Sequence, residues 1–175
     1  MAIYEKRLQS DITRIRDEVA SMGDQVEEAL KNATTALFNA NEELSSLTIM
    51  RDQGINRLNR RINRLSHSFI ARHQPSAGHL RLIASVLRMV SEIERIGDYA
   101  CTISRASLHM KQRPDGVIQR DMEVMAEHAS SMLSQSIKAF ATDNAELARG
   151  TMVMANQVEK ELSMVNFRLS HSFLK

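Results

Sequence analysis

Ser91-Glu92-Ile93-Glu94-Arg95-Ile96-Gly97-Asp98-Tyr99-Ala100 is the stretch whose reading decides how this chain folds. Read as helix, it puts Ile93, Gly97 and Ala100 on one stripe that continues Ile83, Val86 and Val90. Glu94 and Asp98 then project one turn apart from the same edge of the stripe, with Arg95 three residues before Asp98 and close enough to pair with it. Glycine inside a helix costs about 1 kcal/mol relative to alanine, so Gly97 needs a reason. A small residue on an apolar stripe lets a second backbone approach, and Ala100 and Ser104 extend the small-residue run.

Two chemistries fit the carboxylate pair. The commoner is a solvated helix edge. The other is a two-oxygen platform for a hard cation, which would also relieve the like-charge repulsion of an i,i+4 acidic pair. Spacing alone does not choose between them.

Working outward, the rest of the chain also reads as helix. Aromatic residues make up only 4%, with 6 Gly and 2 Pro, a composition poor in turn formers and strand-favouring rings. The fold class is all-α. Leu8, Ile12, Ile15, Val19, Met22, Val26, Ala29, Ala33 and Leu37 recur at steps of four and three, predicting a first helix from Tyr4 to about Asn39. At about 1.5 Å per residue it spans roughly 50 Å. Asn39-Ala40-Asn41 reads as a turn. A second helix to about Arg72 turns Leu44, Leu47, Ile55, Leu58, Ile62, Leu65 and Phe69 inward.

The outer face of that second helix carries Arg57, Arg60, Arg61 and Arg64 within two turns. A solvated or ion-paired face is the plain reading. An acidic protein or membrane headgroups come next. Nucleic acid is disfavoured, because no aromatics are interleaved and no recognition motif accompanies the charges.

His73-Gln74-Pro75-Ser76 closes the second helix and opens a third, with Pro75 in its first turn, that runs to about Lys111. Gln112-Arg113-Pro114-Asp115-Gly116 is the clearest break and reads as a linker. Ile118, Met122, Met125, Ala129, Met132 and Phe140 mark a fourth helix, and Thr142-Asp143-Asn144 a turn. Leu147, Met154, Val158, Leu162, Val165, Leu169 and Phe173 mark a fifth.

The later part echoes the earlier one. Arg64-Leu65-Ser66-His67-Ser68-Phe69 recurs as Arg168-Leu169-Ser170-His171-Ser172-Phe173, and Asn41 with Glu43-Leu44 recurs as Asn144 with Glu146-Leu147. A period near a hundred residues is a duplicated bundle, far longer than a solenoid unit of about 20–50 residues. The boundaries read from it are 1–111 for a first three-helix repeat and 112–175 for a second with two helices. His67 and His171 hold equivalent places beside the seams and read as structural or partly exposed.

The run from Gln74-Pro75 through Leu80-Arg81-Leu82-Ile83 to Glu94-Arg95-Ile96-Gly97-Asp98-Tyr99-Ala100 closely resembles the PhoU family. His79 stands where that family commonly has Asp, and Tyr99 where it commonly has His. Only Asp52 is acidic in Asp52-Gln53-Gly54, where the family pattern is richer in acids.

The resemblance implies two antiparallel three-helix repeats, each with an acidic metal motif, and assigns Glu94 and Asp98 to a divalent or transition metal (Mg, Mn, Fe or Zn). In this role Arg95 would orient Asp98. The resemblance also implies a cytoplasmic negative regulator of the phosphate-starvation response and phosphate uptake. Such an adaptor stands between the phosphate ABC transporter ATPase subunit and a sensor histidine kinase. It would be a homodimer, not an enzyme, without nucleic acid, and at the membrane only through its partners.

A sixth helix with a second acidic motif is expected after Lys175. Its absence reads either as truncation, the preferred reading, or as a variant leaving Met125, Met132, Val158 and Val165 uncovered for a partner or dimer mate.

Competing functions come from other classes: a metal-dependent helical enzyme, or a helical metal-binding scaffold or oligomer unrelated to phosphate signalling. No Glu-x-x-His, Gly-rich phosphate loop, Cys/His zinc spacing or Ser-His-Asp signature supports the enzyme. The 11 methionines fall mostly on the seams and read as core filling. One Cys rules out an internal disulfide and suits a reducing compartment. Glu5, Lys6 and Arg7 interrupt any signal-peptide core, and no run reaches the roughly 20 apolar residues of a membrane span.

Overall fold

A computed structural model describes residues 2–110 and 116–172. Five helices follow one another: α1 (Ala2–Asn39), α2 (Glu42–His73), α3 (Ala77–His109), α4 (Gly116–Ala141) and α5 (Ala145–Ser172). The α1, α2 and α3 rods pack mutually. α4 lies against the remaining side of α1, and α5 packs on α4 alone among the described helices. Lys111, the linker residues 112–115 and Phe173 lie outside the described residues.

The core is the seam the sequence predicts, with one shift. Leu8, Ile12, Ile15, Val19, Met22 and Val26 of α1 are buried against Ile55, Ile62 and Phe69 of α2 and Ile83, Val86, Val90 and Ile93 of α3. Each such side chain removed from water stabilises the bundle by about 1.5–3 kcal/mol. Toward the end of α1, Ala36 rather than Leu37 becomes fully buried. A straight helix of 3.6 residues per turn drifts about 20° per heptad, so a 3.5-residue seam loses register over this length.

α2 departs further from its pattern. Leu47 is exposed, while Ser45, Thr48 and Ser66 are buried. Small side chains let α2 come close to its neighbours, and Thr48 satisfies its hydroxyl by donating to the Leu44 carbonyl at 2.8 Å. His73 closes the helix inside the bundle. Its Nε2 lies 2.8 Å from Asp11, its ring packs on Phe69 at 4.8 Å, and Tyr4 donates its hydroxyl to the His73 carbonyl at 2.6 Å. These contacts fasten the start of α1 to the end of α2.

The turns show why the helices stop where they do. Asn41 caps α2 by accepting from the Leu44 amide at 2.9 Å, and Asn144 caps α5 by accepting from the Leu147 amide at 3.0 Å. The residues just before them, Ala40 and Asp143, take left-handed φ of 50° and 53°. Asn41 and Asn144 also donate their amides to Ala36 and Ala139, at 3.0 and 2.9 Å. The two turns, 103 residues apart in the alignment of letters, thus share one geometry. Pro75 sits before the N-cap Ser76, just outside α3, because Gln74 ends α2 in a left-handed conformation (φ 42°).

α4 docks through Gly23 of α1, which receives Ile137. Arg16 lies over the Phe140 ring, 5.6 Å from its centroid, and reaches Asp143 at 3.4 Å. Between α4 and α5, His128 meets Glu161 at 2.7 Å, and Arg168 donates to Asp121. Of the four residues that one reading left uncovered, Val165 is buried, while Met125, Met132 and Val158 are only half-buried. The exposed large apolar residues of α5 among those described are Met152, Val153, Leu162, Met164 and Phe167.

Candidate functional site

The α3 stripe packs as its sequence requires. Ile93, Gly97, Ala100 and Ser104 are all buried. Gly97 marks a close approach: a Cβ there would stand 3.2 Å from Cδ1 and 3.4 Å from Cγ2 of Ile55, and 3.7 Å from Val26. Three helices therefore meet at this glycine, and their convergence fixes the edge that bears the carboxylates.

On that edge Glu94 is half-buried and Asp98 exposed. They are successive turns of one rigid rod, about 6 Å apart along its axis. Arg95 does not serve Asp98. It pairs with Glu92 at 3.0 Å instead, because helical side chains lean toward the N-terminus and reach back more readily than forward.

Across the seam, α2 supplies Asp52, the one acid the sequence shows there, in a setting the sequence reading did not foresee. Asp52 accepts a hydrogen bond from Asn56 Nδ2 at 2.7 Å and lies close enough to act on the Cys101 thiol. Burial pushes that thiol up to about 11, with the Asp52 charge adding to the effect and Asp98 contributing in the same direction. Cys101 thus stays a protonated, unreactive donor at neutral pH. The signal was present as Asp52 and Asn56 at helical spacing, but pairing to Cys101 needs the packed helices.

Asp52 therefore lies near the edge with its Oδ2 already engaged by Asn56. Among the described residues no three His, Cys, Asp or Glu side chains converge as a metal-holding group. The donor set fits a hard cation only as a pair of carboxylates, with water or a partner completing the shell. Tyr99 beside the pair is exposed, and His79, in the first turn of α3, is half-buried with its Nδ1 3.2 Å from Ser76 Oγ.

The histidines of the repeated hexapeptide are both exposed, and each sets Nδ1 against the carbonyl four residues back: Asn63 at 2.8 Å for His67, Phe167 at 2.9 Å for His171. The arginines of α2 divide into two sets. Arg51, Arg61 and Arg72 pair with Glu28, Glu18 and Asp11 of α1, at 2.6, 2.6 and 3.3 Å. Arg61 consequently belongs to the α1–α2 edge, and the basic outer face consists of Arg57, Arg60 and Arg64. No helix among the described residues is long and apolar enough to cross a membrane.

Fold and site define a class: an all-helical bundle protein whose third helix presents an acidic pair beside a glycine-tightened seam. The sequence profile of the PhoU domain matches residues 19–107, which take in most of α1 and nearly all of α2 and α3. The chain belongs to the PhoU family.

It is 32% identical over 152 residues to the phosphate-specific transport system accessory protein PhoU of Serratia marcescens, covering 87% of this chain and 63% of that one. The protein of the same name from Escherichia coli K12 is 32% identical over 132 residues, covering 75% of this chain and 55% of that one. The chain thus spans about three fifths of the length of these curated relatives. The crystal structure of PhoU from Pseudomonas aeruginosa superposes with a TM-score of 0.90 at 27% identity, over 95% of this chain and 80% of the other. That of PhoU from Streptococcus pneumoniae gives 0.81 at 23% identity, over 93% and 74%, and bears on the fold alone.

Proposed function

We propose that this chain is a regulatory accessory protein of a phosphate transport system, acting as a negative regulator of phosphate uptake and of the phosphate-starvation response. The observation that carries the reading is the PhoU domain match over residues 19–107, supported by relatives named as accessory proteins of phosphate-specific transport. In this reading it works in the cytoplasm by binding, without chemistry on a substrate. Its partners are the ATPase subunit of the phosphate ABC transporter and a sensor histidine kinase, and it reaches the membrane only through them.

A protein that binds one signalling state of the kinase better than the other shifts that equilibrium by its differential affinity and no more. Residues 1–111 and 112–175 act as two repeats of one plan, and the chain pairs as a homodimer. Glu94 and Asp98 hold a divalent cation at the α2–α3 edge or, metal-free, present acid to a basic partner.

The test is binding of the full chain to the purified transporter ATPase subunit and kinase cytoplasmic region of the same cell, joined to a phosphate-regulated reporter in a deletion strain. Saturable binding and derepression of the reporter at high phosphate are expected. Absence of both would overturn the reading.

A further inference from the structure

We propose that the outer ridge of α2, formed by Arg57, Arg60 and Arg64, is a docking surface for an acidic helical segment of a partner protein. The division of the α2 arginines carries the argument. Arg51, Arg61 and Arg72 are each neutralised by an α1 carboxylate. Arg57, Arg60 and Arg64 are exposed, and none forms an ion pair or hydrogen bond among the described residues. Arg57 with Arg60, and Arg60 with Arg64, are neighbours at i,i+3 and i,i+4, where like charges repel. The chain alone thus holds a line of self-repelling cations that only an outside anion relieves.

The geometry specifies that anion. At about 1.5 Å of rise per residue, the three guanidinium stems leave the helix at about 0, 4.5 and 10.5 Å along one rod. A helix lying alongside meets all three when its carboxylates fall at i, i+3 and i+7 if parallel, or i, i+4 and i+7 if antiparallel. Arginine suits this task because its planar fork takes a carboxylate through two parallel hydrogen bonds.

A membrane fits less well. Helices that lie on bilayers bury an apolar face beside their basic one, whereas this ridge continues through Gln53, His67 and Ala71. The nearest exposed large apolar side chain on α2, Met50, stands seven residues before Arg57. Single-stranded nucleic acid would ask for aromatic platforms between the charges, and the ridge has none.

The experiment titrates the full chain into a labelled alanine-rich helical peptide bearing glutamates at i, i+3, i+4 and i+7, read by fluorescence anisotropy. An isomeric peptide with the same glutamates scattered around the helix is the control. The patterned peptide should bind at least about tenfold more tightly, a difference of about 1.4 kcal/mol. The triple variant Arg57→Gln, Arg60→Gln, Arg64→Gln, shown by circular dichroism to keep its helices, should lose that preference. Arg61→Gln should keep it.

No discrimination between the two peptides overturns the proposal, as does an unchanged preference in the triple variant. Arginine-dependent sedimentation with phosphatidylserine vesicles, without peptide discrimination, would assign the ridge to lipid headgroups instead. Neither transporter nor kinase enters the assay, so its failure leaves the phosphate-transport reading standing.

Discussion

Ile137 of α4 fills the notch that Gly23 leaves in α1. A Cβ on Gly23 would stand 2.7 Å from both Cδ1 and Cγ1 of Ile137 and 2.8 Å from Cγ2, closer than packed carbons come. Removing a helical glycine normally gains about 1 kcal/mol. Here the gain is outweighed, because a β-branched side chain is stiff at χ1 and cannot swing its γ carbons away. Gly23→Ala should therefore destabilise the protein by about 1–3 kcal/mol, through overpacking at the α1–α4 contact. Ile137→Ala in the same chain, which removes the clashing γ carbons, should return part of the loss, since contacting sites are not additive. Urea denaturation of the four proteins in the cycle checks it; a Gly23→Ala chain as stable as the parent would show that α4 docks elsewhere.

Gly97 should behave differently. Its hypothetical Cβ meets Ile55 at 3.2 Å through Cδ1, the flexible far end of the side chain. Gly97→Ala should be close to neutral, the gain of about 1 kcal/mol in helix propensity offsetting a small displacement of Ile55. Gly97→Leu has no such escape between Ile55 and Val26, and should cost about 1–3 kcal/mol or more. Thermal melts of both variants separate a tight seam from an open one, since equal melting temperatures for Ala and Leu would mean that the three helices do not converge there.

How much of this was legible in the sequence follows from where the information lies. The α1 and α3 seams could be read because Ile, Val and Met alternate there with charge, and periodicity reports that contrast directly. The interior of α2 was misjudged where Ser45, Thr48 and Ser66 occupy the buried face and Leu47 the exposed one. Hydropathy misjudges a seam whose requirement is smallness. Arg95 was assigned to Asp98 by spacing alone, and the lean of helical side chains sent it to Glu92. His128 with Glu161, and Asp52 with Cys101, join different helices across 33 and 49 residues, contacts that no local pattern contains.

Glu161 gives a pH prediction. The hydrogen bond from His128 holds its carboxyl below the ordinary range; burial opposes this, and Gln157 reinforces it. The folded chain thus takes up this proton less readily than the unfolded chain. The stabilisation is fully present above the ordinary carboxylate pKa and is lost as pH falls through the lowered folded value. Denaturation midpoints of the parent and Glu161→Gln should differ most near neutrality and converge in acid. A gap that stays constant down to about pH 3, below the ordinary glutamate value, would mean that Glu161 is not held ionised by its neighbours.

The carboxylate pair on α3 supports the most demanding prediction. Glu94 and Asp98 occupy one edge of the rod, half-buried and exposed respectively, with Asp52 nearby and bonded by Asn56. A platform of two carboxylates leaves most of a cation's shell to water. It should take hard divalent ions weakly, in the micromolar range or worse, and discriminate poorly between Mg and Mn, because neither cavity size nor ligand number selects. Zn and Fe(II), which gain from nitrogen and sulfur donors, should show no large advantage while Cys101 stays protonated. Glu94→Gln with Asp98→Asn should abolish the binding. It should also leave the metal-free protein as stable or slightly more so, since an i,i+4 repulsion of about 0.2–0.5 kcal/mol disappears. Calorimetric titration of parent and double variant with each ion, alongside thermal melts without metal, reads both halves of the claim. If the parent gives no heat, or the double variant binds equally well, the pair is no platform and its acidity serves a basic partner. If binding vanishes but the metal-free variant also loses several degrees of melting temperature, the carboxylates belong to the fold rather than to a ligand.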